Sequence, residues 1–414
     1  MSAFQDSREF AEGLDSADEL VSFRRLFHLP KTVSGEDCVY LCGHSLGLQP
    51  RSAGTSISQV LADWAKLGVS GHFRGDHPWL EYPRSLAEQG ARLVGGQPSE
   101  VAVMNSLTVN LHLMMVSFYR PTPARHRIII EKNAFPSDRY AVQSQIAFHG
   151  FDPADSLVEV SSEEEMYAIL EDRGESISLI LIGGVNYLSG RVFDMQGIAT
   201  AAHAHGCIAG FDLAHAAGNI PLHLHAWDVD FAVWCTYKYL NGGPGSVAGC
   251  FVHERYGLDP GIPRFAGWWG NRQETRFQMG PGFEAAPGAA GWQVSNPPIL
   301  ALAALRASLD LFEEAGMDRL RAKSVRLTGY LEFLLSGCRG QKFSILTPSD
   351  PGQRGAQLSI RVPSGAHTAA ERLEAEGIVC DCREPDILRV APVPLYNSFL
   401  DVYRFVKAFA RIAG

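Results

Sequence analysis

The sequence predicts an α/β protein: a large domain with a mainly parallel sheet covered by helices, followed by a smaller α/β C-terminal domain. Three observations predict it. From about residue 98 to 255, short β-rich runs alternate with helical ones, at Arg127–Glu131, Ser156–Val160, Ile177–Ile182, Cys207–Phe211, Phe231–Cys235 and Ala248–Val252; this is the order that a parallel sheet with crossover helices requires. The stretch from Asp194 to Gly206 is rich in Ala and His and closes on Gly, as a crossover helix between the strands at 177 and 207 should. After Pro298, apolar residues at Leu300, Leu302, Leu305, Leu309 and Phe312 keep a helical spacing, and a second helix runs from Gly316 to about Leu335. Beyond this connector, strands near Gln357–Val362 and Ile387–Val390 and helices near 366–376 and 399–412 outline the smaller domain. We expect an N-terminal helical segment over residues 1–35 that joins the small domain, the large domain over 36–310, and the small domain over 311–414. Within the first segment, Ser16-Ala-Asp18 reads as a helix start and Leu29-Pro30 as its stop.

Composition narrows the function. The chain has 414 residues, 46% hydrophobic and 20% charged, within the range of ordinary globular proteins and away from disordered or fibrous ones. A net charge of -9 provides no positive field for nucleic acid or an anionic membrane, so neither is expected as a partner. The eight cysteines form no Cys-x-x-Cys pair and are too sparse for a disulfide scaffold, which predicts reduced thiols. The N-terminus mixes charges instead of following the basic-then-apolar order of a signal peptide. No apolar run reaches the roughly 18 residues of a membrane span. Together these predict a cytoplasmic enzyme. No internal repeat or low-complexity tract is present.

The chemistry concentrates between Gly210 and Gly245. Gly-Phe-Asp212-Leu-Ala-His215 closes one apolar strand, and Thr-Tyr237-Lys238-Tyr follows the next. Parallel sheets present ligands at the carboxyl ends of their strands, so Asp212 and Lys238 are placed to face one crevice. Pyridoxal 5′-phosphate (PLP) needs this pair. A lysine amine forms the Schiff base with the aldehyde, and burial lowers its pKa so that the neutral nucleophile is available. A carboxylate keeps the pyridine nitrogen protonated, which lets the ring accept electrons. The phosphate needs a cradle, and Asn105-Ser-Leu107-Thr108-Val-Asn110 offers hydroxyl and backbone donors where an apolar-periodic helix begins.

Seven segments together resemble the kynureninase family: the Asp-x-x-His before Tyr-Lys, Asn-Ser-Leu-Thr-Val-Asn, Phe135-Pro-Ser-Asp138, Cys42-Gly-His-Ser-Leu-Gly-Leu-Gln-Pro50, Gly267-Trp-Trp-Gly-Asn271, Ser295-Asn-Pro-Pro-Ile299 and Arg389-Val-Ala-Pro-Val-Pro-Leu-Tyr-Asn397. The resemblance spans roughly residues 38 to 405. It implies a PLP-dependent transferase fold of type I and hydrolytic cleavage of L-kynurenine or its 3-hydroxy derivative to L-alanine and anthranilate or 3-hydroxyanthranilate. It implies that Lys238 is the Schiff-base lysine, that Asp212 partners the pyridine nitrogen, and that His215 is their neighbour. Phe135 would stack on the ring, Leu107 and Thr108 would bind the phosphate with help from the Tyr237 hydroxyl, and Asp138 would lie near the ring nitrogen. Tyr237 is also a candidate for assisting proton transfer. Gly183 stands where the family places a backbone contact or small hydroxyl, and here it offers no side-chain hydrogen bond. Trp268 and Asn296 are implied to reach the cofactor from the other subunit of a homodimer. Arg389 would grip the substrate α-carboxylate through its planar fork. His72, Ser295 and Asn296 are polar candidates near the substrate's aromatic ring.

Other assignments compete. His203-x-His205 and His223-x-His225 resemble paired zinc ligands, but no acidic cluster at ligand spacing accompanies them, so no metal is expected. Gly243-x-Gly245-x-x-Ala248 mimics a dinucleotide fingerprint but precedes a strand; it reads instead as a turn that lets the backbone pass close to the lysine. A cysteine desulfurase or aminotransferase of the same fold remains an alternative. So does a non-catalytic PLP-binding module, although no helix-turn-helix or basic stretch supports one.

Overall fold

The computed structural model describes residues 4–259, 261–338, 342–363 and 365–412; residues 1–3 and 413–414, which fall within the expected terminal segments, lie outside the described residues. Strands β1 (Val39–Tyr40), β2 (Val101–Met104), β3 (Arg127–Glu131), β4 (Leu157–Val160), β5 (Ile177–Gly183), β6 (Ile208–Asp212), β7 (Phe231–Trp234) and β8 (Ala248–Val252) come first. Seven of them form the central sheet, in the order β2-β8-β7-β6-β5-β3-β4. Neighbours from β7 to β4 pair in parallel, and β8 alone runs against the rest. The strands are Val- and Ile-rich and mostly buried at every position, as expected where helices cover both faces.

The predicted crossover helix between β5 and β6 spans Met195–Ala204 and is capped by Asp194, whose side chain accepts from the Gly197 amide at 3.0 Å. Helix Ile299–Ala315 packs on helix Arg51–Leu67 and leads through Gly316 into helix Met317–Ser336, as the apolar spacing predicts.

Strands β9 (Ser344–Ile345), β10 (Leu358–Arg361), β11 (Ile378–Val379), β12 (Asp381–Arg383) and β13 (Ile387–Val390) follow. Four make an antiparallel sheet in the order β12-β13-β10-β9, while β11 pairs in parallel with β1. Leu327, Leu331, Leu358, Val390, Phe405 and Phe409 build a separate apolar core here, and Ala11 from the N-terminal region belongs to it. Asp15 accepts from the Phe399 and Leu400 amides at 2.6 and 3.0 Å, capping helix Phe399–Ile412 where a carboxylate also complements the helix dipole.

The N-terminal helix differs from expectation. It runs from Arg8 to Ser16, capped by Ser7, and a 3-10 helix over Val21–Leu26 follows. Ser16-Ala-Asp18 therefore ends a helix instead of starting one. The reason is that Asp18 is consumed elsewhere: it accepts from the Leu20 amide in a turn and pairs with Lys323 at 2.7 Å. No helix among the described residues is long and apolar enough to cross a membrane.

Candidate active site

Because six of the seven central strands point the same way, their carboxyl ends deliver functional groups to one edge. Glu131 ends β3, Gly183 ends β5 and Asp212 ends β6, while Tyr237 and Lys238 follow β7 and Leu107 and Thr108 follow β2. These residues line one pocket, together with Phe135, Ser137, Asp138, Val185, Tyr187, Ala214 and His215. Nine residues expected at the cofactor are thus brought together: Leu107, Thr108, Phe135, Asp138, Gly183, Asp212, His215, Tyr237 and Lys238.

Lys238 Nζ lies 3.0 Å from His215 Nε2 and 5.7 Å from the centroid of the Phe135 ring. Burial, reinforced by the Lys238 charge, holds the His215 pKa well below its ordinary value, so the imidazole is neutral and can accept at Nε2. Its Nδ1 is buried with no hydrogen-bond partner. Asp212 accepts from the Ala214 amide at 2.7 Å and is hydrogen-bonded to Asp138. Burial pushes both carboxyls up, Asp138 most, with the Asp212 charge adding to the effect on Asp138. Two buried carboxyls in contact cannot both ionise cheaply; Asp138 holds the proton and Asp212 the charge, which faces Lys238. Asp138 Oδ1 has no hydrogen-bond partner.

A third carboxyl was not anticipated. Burial pushes Glu131 up to about 7, against the hydrogen bond that Asn186 donates to Oε2 at 2.8 Å. A Cβ at position 183 would stand 3.0 Å from Glu131 Oε1, so the place that a small side chain would occupy at Gly183 faces this carboxyl. Ser137 is also new: its hydroxyl lies 2.7 Å from that of Thr108, and the two sit in the first turns of helices Leu107–Phe118 and Pro136–Phe148. Two helix N-termini that each carry a hydroxyl make an anion site. Burial pushes the Tyr237 hydroxyl far up, which keeps it a neutral donor.

The backbone near Lys238 corrects one expectation. Gly243 and Gly245 have φ of 95° and 65°, which explains the glycines, but a Cβ at either would meet nothing within 4 Å. The close approach is made by Gly47, whose amide donates to the Tyr237 carbonyl at 2.8 Å and whose Cβ would collide with the Lys238 carbonyl.

The remaining expected residues lie outside this pocket. Arg389, on β13, is only 1% exposed, and its Nη1 donates to the carbonyl of the pocket residue Tyr187 at 2.8 Å. His72 packs edge-on against Trp79. Trp268 is 39% exposed and donates to the Arg276 carbonyl at 3.2 Å, while Ser295 and Asn296 are exposed. Phe73 contacts Phe277, which contacts Trp268, so the segments of His72 and Trp268 adjoin in an exposed aromatic patch.

The paired histidines find ordinary partners. His203 contacts Asp230 at 2.9 Å, and His225 contacts Glu100 at 2.9 Å. Glu100, His225 and His253 have donor atoms close enough to hold a cation. However, Glu100 Oε1 already accepts from His225 and from the Glu254 amide, and Oε2 accepts from the Gln97 amide. The group lies at the sheet edge opposite Lys238, since Val252 pairs with the first residue of β7.

The pocket fits PLP. It offers an amine, a buried carboxylate sharing a proton, an anion site and an aromatic face, and the unpartnered Asp138 Oδ1 and His215 Nδ1 are polar atoms that a ligand can satisfy. Comparison with solved structures agrees on the fold. A cysteine desulfurase from Escherichia coli superposes with a TM-score of 0.77 at 16% identity, covering 95% of this chain and 98% of that one. A C-DES mutant with glycine covalently linked to its PLP cofactor gives 0.76 at 17% identity, covering 91% and 97%. At such identities only the fold, that of type I PLP enzymes, is shown. Sequence comparison is sharper. Residues 320–409 match the family model described as the kynureninase C-terminal domain. The kynureninase of Koribacter versatilis is 60% identical over 98% of both chains, and that of Myxococcus xanthus is 56% identical over 98% of this chain and 97% of its own. With this identity over nearly the whole length, and with a pocket that suits the cofactor, the chain belongs to the PLP-dependent kynureninase family.

Proposed function

We propose that the chain hydrolyses the bond between the β and γ carbons of L-kynurenine or 3-hydroxy-L-kynurenine, releasing L-alanine and anthranilate or 3-hydroxyanthranilate. The observation that carries this reading is the near-full-length identity to kynureninases together with Lys238, His215, Asp212 and Asp138 in one pocket. Bound PLP supplies an aldehyde that links to amines and a protonated ring that withdraws electrons from the carbon bearing the substrate nitrogen. Lys238 carries the amine that would hold the cofactor and would move the proton at the substrate α-carbon. Neutral His215 accepts a hydrogen bond from Nζ and so aims it. Asp212 keeps the pyridine nitrogen protonated, and Asp138, by holding its own proton, leaves only one negative charge there.

Leu107, Thr108 and Ser137 hold the phosphate with the two helix N-termini, Tyr237 adds a hydroxyl, Phe135 covers the ring, and Gly183 leaves space beside Glu131. Arg389 binds the α-carboxylate. Trp268 and Asn296 serve the partner subunit's pocket in a homodimer, a reading supported by their exposure and by the aromatic patch around Trp268. His72, Ser295 and Asn296 then meet the substrate ring. An N-terminal segment over 1–35 and a C-terminal domain over 311–414 together form the small domain beside a cofactor-binding domain over 36–310; the packing of Ala11 and Asp15 supports this. The eight free thiols suit a reducing compartment, the cytoplasm.

The test is to incubate purified, cofactor-loaded protein with each substrate and follow anthranilate or 3-hydroxyanthranilate. Failure to form either would sink the proposal. Repeating the assay with His72→Ala and Asn296→Thr tests the ring contacts: preference between the two substrates should change, and an unchanged ratio removes those residues from the site. A desulfurase reading would need a cysteine on a free loop near Lys238. Here Cys380 and Cys382 flank Asp381 on or beside β12, and Cys338 follows a helix end, so no observation favours it.

A further inference from the structure

Arg389 has a resident carboxylate. Asp381 on β12 and Arg389 on β13 are register partners across the antiparallel sheet. Arg389 Nε donates to Asp381 Oδ1 at 2.7 Å and Nη2 to Oδ2 at 2.5 Å, the two parallel bonds of a planar fork. Nη1 donates to the Tyr187 carbonyl, and Nη2 also donates to Ser45 Oγ at 3.2 Å. Ser45 in turn donates to Asp381 Oδ2 at 2.5 Å. A guanidinium has five N–H donors; four are engaged here, which leaves one on Nη1 and a long, exchangeable bond from Nη2 to Ser45.

The charges around this pair leave room for another anion. Arg383 Nη2 lies 3.2 Å from Asp381 Oδ2, and His44 Nε2 lies 3.3 Å from Oδ1. Burial pushes the His44 pKa down to about 4, so the ring is neutral near pH 7. Two guanidinium groups against one carboxylate leave one net positive charge. Without Asp381, a guanidinium this deeply buried would lack a bidentate anionic partner before substrate arrives, which is costly, and only the Tyr187 and Ser45 bonds would orient its plane.

We propose that Asp381 is the positioning residue for substrate recognition: it holds the Nε–Nη2 edge of Arg389, so that the Nη1–Nη2 edge is presented to the substrate α-carboxylate in place of Ser45. This rests on the reading that Arg389 binds that carboxylate. Asp381 touches no substrate atom; it acts through the arginine.

The experiment compares L-kynurenine with its decarboxylated amine. For the cofactor-loaded wild type, Asp381→Asn, Asp381→Glu and Arg389→Lys, one measures kcat and KM for kynurenine and the inhibition constant of the amine, with the cofactor absorbance and melting temperature as controls. Asp381→Asn is expected to raise KM about tenfold or more, as loss of a charged bidentate bond should. It should leave kcat within a few-fold and remove most of the preference for the carboxylate-bearing ligand; Asp381→Glu should restore part of it. If Arg389→Lys removes the preference and Asp381→Asn does not, the role of Asp381 is refuted while that of Arg389 stands. If neither changes it, Arg389 does not bind the carboxylate and the proposal falls with it. Loss of cofactor absorbance or of kcat with the preference intact would show a merely structural role and also overturn it. Should Asp381→Asn fail to fold, Asp381→Glu, which keeps the charge but displaces it along the fork, is expected to weaken the preference in the same direction, and an unchanged preference refutes the proposal.

Discussion

Lys238 Nζ and His215 Nε2 stand 3.0 Å apart, with the imidazole kept neutral by burial, so the lysine is aimed by a group that does not compete for its proton. Lys238→Ala should abolish the absorbance of covalently held cofactor and lower kcat by about 10²- to 10⁴-fold, the range for losing a positioned proton-transfer group. Borohydride reduction and peptide mapping of the active protein should place the cofactor on residue 238. Modification of a different lysine would refute the assignment.

Thr108 and Ser137 share a 2.7 Å contact between hydroxyls at two converging helix starts. Each hydrogen bond to a charged group contributes about 1.5–3 kcal/mol, so Thr108→Ala or Ser137→Ala should weaken PLP binding by roughly one to two orders of magnitude. Equilibrium dialysis of the cofactor-free protein measures this. Weakened pyridoxal binding, with no phosphate present, would show that the hydroxyls act elsewhere.

Glu131 makes the cofactor-free fold sensitive to pH. Its folded pKa of about 7 lies above the ordinary 4.5, so its contribution is fully present below about 4.5 and is lost as pH rises through 7. The loss amounts to about 3 kcal/mol at most. Glu131→Gln removes this dependence, so the variant's stability relative to wild type should rise between pH 5 and 8. Chemical denaturation of the cofactor-free proteins across that range gives the difference, and a flat one would place the Glu131 charge in contact with solvent.

The proposed sharing of active sites between two subunits predicts complementation. Lys238→Ala and the double variant Trp268→Ala, Asn296→Ala should each be nearly inactive. Mixed after partial denaturation and refolding, they should recover activity, because a mixed dimer contains one pocket with both sets intact. No recovery, despite confirmed subunit exchange, would place Trp268 and Asn296 in their own chain's function.

The legible parts of the fold were those written in local pattern. Each strand of the central sheet from β3 to β8 is an apolar run, and the Ala-rich stretch that closes on Gly206 marks the crossover helix. Asp212 could be placed because it closes such a run. The same reasoning applied to Arg127-Ile-Ile-Ile-Glu131 would have found Glu131, and the Phe-Pro-Ser-Asp segment contained Ser137 unremarked. Asp381 carried no comparable signal, since its partnership with Arg389 depends on the register of two short strands. The N-terminal helix was misplaced because Ser16 and Asp18 look like caps, while Asp18 is held by Lys323, more than 300 residues away in sequence. Residues such as Trp268 and Asn296, whose proposed partners lie in another chain, cannot be placed from one chain's periodicity.

Between Tyr40 and Gly47 the chain is fastened at both ends. β1 is zipped to β11 and Cys42 bridges to Ala391, while Gly47 is pinned to the Tyr237 carbonyl, with Ser45 bonded to Asp381 midway. This short tether ties the arginine-bearing sheet to the turn that carries the lysine. Any tilt of that sheet must therefore tug on the peptide next to the lysine, so that the proposed grip of Arg389 on a carboxylate would be mechanically linked to the proposed chemistry of Lys238.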